Sequence, residues 1–202
     1  MSITWRASLL AAATIAGLGA VLYAILARPP APLAELPDAL AGEPDVYMRD
    51  ATITQYAPSG AVKYRLASTR MRHFERDALT RLTDPDLWLY NDAQPPWQIR
   101  SAHGYIRQNT SQRDEEEVIF LREKVVVHQR HEDGRHVRLR APALYLYPDR
   151  QYAETDQDVI IDTDVGRTKA VGLQGDLQQG LLNLFSSADQ RVHTIVLLGQ
   201  FK

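Results

Sequence analysis

From residue 46 onward the chain alternates apolar and polar side chains with a period of two. Val62, Tyr64 and Leu66 are interleaved with Lys63 and Arg65, the pattern of a strand with one face buried and the other wet. A strand over 48–56 precedes it across the turn Ala57-Pro58-Ser59-Gly60, where glycine can supply a positive φ. Further strands are predicted at 79–83, 87–90, 97–101, 104–108, 118–121, 124–129, 136–140, 144–147, 152–155, 159–163, 168–173, 181–185 and 192–198. No stretch beyond Pro44 carries a helical period. About fifteen short strands joined by turns, without crossovers, predict an all-β, open antiparallel jelly roll or sandwich.

The strands come as a loose repeat. Its clearest copy is 140–162, RAPALYLYPDRQYAETDQDVIID, with weaker copies at 66–90, 99–128 and 169–192. Each copy opens on a small residue (Ala67, Ala102, Ala141, Ala170). Each closes on an aliphatic one (Leu87, Val125, Val159, Val192) just after an acidic or polar turn. A repeat of this length built only of strands and turns predicts a β-array.

The amino-terminal part is different. Residues 7–27 carry no charge and are rich in Ala, Leu and Ile. At ~1.5 Å per residue a helix there would span about 30 Å, the hydrocarbon thickness of a bilayer. The apolar run exceeds that of a signal peptide, and ILARPPAP beyond it is a poor cleavage exit. An uncleaved transmembrane anchor is therefore expected over 7–27, with 1–6 cytoplasmic and the main domain outside. Ala12, Ala16, Ala20 and Ala24 form a small-residue stripe on which another helix could pack. Residues 28–45 hold Pro29, Pro30, Pro32, Pro37 and Pro44 and predict an extended spacer. The domain is assigned to 46–202.

Composition narrows the chemistry. The chain has 202 residues, 45% of them hydrophobic, and a formal net charge of -2. Basic and acidic residues balance after residue 45, so no electrostatic footprint for nucleic acid is present. With no cysteine, disulfides, thiolate metal sites and cysteine nucleophiles are excluded. His128, His131 and His136 are the one histidine cluster. They read as the tip of a hairpin turning at Asp133-Gly134, because strand residues three apart face opposite ways. The run Asp114-Glu115-Glu116-Glu117 reads as a solvated turn between strands. Asp84 and Asp86 recur as Asp156 and Asp158, as structural turn residues would. No nucleophile elbow, phosphate loop or zinc-helix motif is found. An enzyme is not expected, and neither a cofactor nor a metal is implied.

What remains is the apolar face. By strand parity one side collects Val62, Tyr64, Leu66, Leu87, Leu89, Ile99, Val125, Val127, Leu144, Leu146, Val159, Ile161, Leu182 and Leu184. These could form a plain sandwich core or line a slot for acyl chains. Each methylene buried there would gain ~0.8 kcal/mol.

Several motifs, in order along the chain, carry a resemblance. They are Tyr56-Ala-Pro-Ser-Gly60 followed by Lys63-Tyr-Arg-Leu66; Thr83-Asp-Pro85 before an apolar strand; Pro96-Trp97 at a strand start; Leu144-Tyr-Leu-Tyr147; and Gly172-Leu173 with Gly175 and Leu177. With the anchor and spacer, this order resembles the lipopolysaccharide export protein LptC family of Gram-negative bacteria. The resemblance implies a periplasmic, open β-jelly roll on a single inner-membrane helix, without catalytic activity. It implies that acyl chains of lipopolysaccharide are received from the ATP-driven transporter LptB, LptF and LptG and passed to the bridge protein LptA. In that scheme the first strand, with Val46, Met48, Ala51 and Ile53, faces the transporter. The last, with Val192, Ile195, Leu197 and Phe201, faces the bridge protein. Lys63, Arg65, Arg70 and Arg72 would form a basic rim for the sugar-phosphate head. A closed periplasmic interaction protein without a lipid site is the other reading, and an anchored hydrolase a distant third.

Overall fold

A computed structural model describes residues 43–91, 94–111 and 114–197. The expected anchor (7–27), most of the spacer and Phe201 lie outside the described residues. Among those described, the alternating pattern forms twelve antiparallel strands and one short 3-10 turn, Glu75–Asp77. The strands are β1 (Val46–Tyr56), β2 (Val62–Phe74), β3 (Leu79–Thr83), β4 (Asp86–Asn91), β5 (Gln94–Arg100) and β6 (His103–Ser111). They continue as β7 (Asp114–Arg130), β8 (His136–Tyr147), β9 (Tyr152–Thr163), β10 (Gly166–Asp176), β11 (Leu181–Leu184) and β12 (His193–Val196). The sequence expectation of about fifteen is corrected to twelve, because several neighbouring short segments are the two halves of one long strand.

The pairing is a meander folded in two. β2, β7 and β10 each have one edge shared between two shorter strands: β2 pairs β4 and then β3, β7 pairs β6 and then β5, and β10 pairs β12 and then β11. β3 with β4, and β5 with β6, therefore act as long strands broken at the middle. The breaks line up. A rung is missing at Asp50 on β1, between the pairs Arg49–Arg70 and Ala51–Ser68, and register shifts between Arg122 and Val125 on β7, between Arg140 and Tyr145 on β8, and between Val171 and Leu173 on β10. Positive φ falls at Asp50, Asp84, Glu123, Lys124 and Gly172 along this line, as bulges and kinks require. At Gly172, with φ +91, only glycine is unstrained. Ser68 replaces a missing rung: its Oγ donates to Thr83 O at 2.6 Å and accepts from Thr83 N at 3.2 Å.

This crease is what the sequence repeat encodes. Ala67, Ala102, Ala141 and Ala170 all sit at it, where small side chains let the sheet fold sharply. Leu87, Val125 and Val159 lie just beyond it, inward and 0–1% exposed. Val192 breaks the rule, being 40% exposed just before β12. The two half-sheets close over one apolar cluster drawn from β2 through β10.

Candidate functional site

The interior is the first candidate. Tyr64, Leu66, Leu87, Leu89, Ile99, Val125, Val127, Leu144, Leu146, Val159 and Ile161 are buried. Val62, Leu182 and Leu184 are half-buried, the last two packed against the cluster. Tyr145 and Ile160, their strand neighbours, are half-buried on the other face. The cluster also holds Met71, Leu82, Trp97, Ile106, Ile119, Leu121, Leu139 and Leu173, which sequence parity omitted. For Met71, Leu139 and Leu173 the reason is the crease. On β2 the inward set runs Tyr64, Leu66 and Ser68 but resumes at Met71; on β8 it runs Leu139 and Ala141 but resumes at Leu144. A bulge shifts the phase by one residue.

Opposite the crease the free ends of the half-sheets meet. One lip is the start of β2, the end of β4 and the start of β5. The other is the β8–β9 turn and the β10–β11 turn. Lys63 forms an ion pair with Asp149. Gln151 Nε2 donates to Tyr90 O at 3.0 Å, and Asn91 Nδ2 and Gln94 Nε2 donate to Gln178 O at 3.1 and 3.2 Å. Trp97 Nε1 donates to Leu177 O at 3.0 Å, a buried bond between residues 80 apart in the chain. A cleft of about 570 Å³ opens at one end of this seam, lined by the β1–β2 turn, Lys63, Tyr90, Asn91, Asp149 and Gln151.

Glu117 lies beside it. The acidic run is not a turn, as the sequence suggested: 114–117 belong to β7 and pair with β6. Strand parity then turns Glu117 inward with Ile119 and Leu121. Its carboxyl, hydrogen-bonded to Tyr64, is held above its ordinary pKa chiefly by burial, and Tyr64 is itself pushed up by burial and by Glu117. Glu116 pairs with Arg150.

The outer faces are polar or aromatic. Tyr105, Phe120 and Tyr145 form a cross-strand ladder with ring centroids 5.0 and 4.5 Å apart. Arg150 lies over Tyr147 and Tyr152, and Tyr152 is pushed up to about 12 by burial and Glu154. His128 sits near the end of β7, opposite Arg138, its pKa lowered by burial and then by Arg130, His136, Arg138 and Arg100. His131 is at the turn, where Gly134 N donates to His131 O. Among the described residues no group of His, Cys, Asp or Glu could hold a metal. Of the basic rim, Lys63 is tied to Asp149, Arg65 and Arg70 are exposed, and Arg72 is half-buried.

The two ends of the meander differ. β1 pairs β2 along its whole length; Val46 is exposed, while Met48, Ala51 and Ile53 pack against the core. Among the described residues β12 pairs only β10, over Gly166–Lys169. Val192, Ile195 and Leu197 are 40%, 53% and 57% exposed.

A creased antiparallel sheet around an apolar interior, ending in two outer strands, defines a jelly-roll protein. The fold matches the crystal structure of LptH, the LptA-homologous periplasmic component of the lipopolysaccharide transport device of Pseudomonas aeruginosa. The TM-score is 0.52 at 8% identity, over 66% of this chain and 94% of that one, which is a likeness of fold. Residues 10–193 match the family described as lipopolysaccharide-assembly, LptC-related, and the chain belongs to it. No curated protein sequence matches.

Proposed function

We propose that the chain is an inner-membrane-anchored periplasmic protein that binds lipopolysaccharide and transfers it. It takes the lipid from the LptB, LptF and LptG transporter at its β1 end and passes it to the bridge protein LptA at its β12 end. The observation that carries this reading is the apolar interior, which runs without interruption from β2 to β10 in a chain of this family. A lipid chain needs a dry, continuous slot, whereas its charged head can remain in water. Residues 7–27 supply the membrane helix in this scheme, and 28–45 the spacer. Among the described residues no helix is long and apolar enough to cross a membrane.

One observation favours the second reading, a closed interaction module. Leu66, Leu87, Ile99 and Leu146 are 0% exposed, so the interior is packed when empty. The two readings separate at neighbouring residues. A photo-reactive side chain in place of Leu146 should capture lipopolysaccharide, and one in place of Tyr145, facing out, should not. Capture at neither position would favour the closed module, and equal capture at both would overturn the assignment of faces.

A further inference from the structure

The fold has two lines along which its halves meet, and they are built differently. Along the crease the chain itself is continuous and backbone ladders run up to it from both sides. Along the opposite seam no strand pairing joins the lips among the described residues. They are held by the Lys63–Asp149 ion pair and by side-chain donors: Gln151 to Tyr90 O, Asn91 and Gln94 to Gln178 O, and Trp97 to Leu177 O. Bonds of this kind can be handed to water one at a time when lips part, whereas a ladder must be broken as a unit.

Two further observations fall on the same line. Among the described residues, Glu117 Oε1 and Gln151 Oε1 are buried and have no hydrogen-bond partner in the protein. A buried orphan acceptor is rare and costly, and Gln151 is a member of the seam while Glu117 lies within the field of Lys63 and Asp149. The cleft of about 570 Å³ opens there too, with Lys63, Tyr90, Asp149 and Gln151 in its wall. Opening the seam would bring water to both orphan atoms, so closure is penalised at the place where the lips meet.

We propose that this seam is a lateral entry for the acyl chain of an amphiphile. The lips part about the crease, the chain passes between Lys63–Tyr64 and Asp149–Gln151 into the interior, and the headgroup stays outside. This rests on the lipid-binding reading above and adds a route to it: entry from the side of the sheet rather than only along its length from an end strand.

The chain contains no cysteine, so a Lys63→Cys, Asp149→Cys double variant of the full chain carries its only two thiols facing each other across the seam. A cleavable bis-maleimide bridging them should abolish capture of lipopolysaccharide by a photo-reactive residue at position 146. Cleaving the bridge should restore it. A Tyr147→Cys, Tyr152→Cys pair, on neighbouring strands of one lip, should be bridged without effect. Undiminished capture by the seam-bridged protein would overturn the lateral entry and leave lipid binding standing. Absence of capture before any bridge is made, in the parent with the same photo-reactive residue, would remove the lipid-binding reading and the entry with it.

Discussion

Glu117 is an acid placed by strand parity among Ile119, Leu121 and Tyr64, and its effect on the protein should change with pH. Burial raises its pKa in the folded chain, while in the unfolded chain it ionises near the usual ~4.3. Folding therefore favours the protonated form. The stability this contributes is fully present below the unfolded pKa and is lost as pH climbs through the higher folded pKa. Glu117→Gln cannot ionise, yet its side-chain oxygen can still accept the Tyr64 hydroxyl. Melting curves taken from about pH 4 to about pH 8 should show parent and variant converging at the acid end, with the variant the more stable at the upper end. Parallel curves across that range would mean that Glu117 ionises freely in the folded state. The residue was hard to find from sequence alone, because the run Asp114–Glu117 has the charge density of a solvated turn. What places it is pairing with β6, a long-range fact that local composition does not carry.

At the scale of elements, β12 is the strand most exposed to a partner. It touches the fold through four paired residues of β10, and Val192, Ile195, Val196 and Leu197 stay 40–57% exposed. An apolar outer strand without proline is a template for strand addition unless something covers it. Ile195→Pro removes one backbone donor. It should abolish capture of the bridge protein in a pull-down and leave the transporter bound at the other end. The melting temperature should fall only slightly, since none of these side chains belongs to the apolar cluster. Gly166→Ala is an independent route to the same end: a Cβ there would stand 2.1 Å from Ile195 O and force β12 away. Loss of both partners with a large fall in melting temperature would show instead that β12 completes the core. The elements themselves were largely legible, since Val62–Leu66, Val125–Val127 and Leu144–Leu146 alternate cleanly. The crease was legible only as a repeat of alanines and acidic turns whose meaning was not apparent. Its bulges shift the inward phase, which hid Met71, Leu139 and Leu173 from a reading that kept one parity for each strand.

For the whole molecule, the proposed function asks two things of the interior, a packed core when empty and a lipid site when filled. Leu146→Ala tests that directly. Leu146 is 0% exposed, and truncating such a side chain costs about 2–5 kcal/mol because the transfer free energy is lost and a cavity remains. In a domain of this size each kcal/mol lowers the melting temperature by roughly 2–4 °C. The empty variant should therefore melt well below the parent. When lipopolysaccharide is bound, an acyl chain lying against position 146 fills the space left by the missing methyls, and binding to the folded state stabilises by mass action. The gap between variant and parent should then shrink at saturating lipid. If the gap is as wide with lipid as without it, the chain does not lie in the interior, and whatever stabilisation the lipid gives must come from the outer faces. A gap that closes only for ligands with long acyl chains, and stays open for the phosphorylated sugar head alone, would locate the binding energy in the fold between crease and seam.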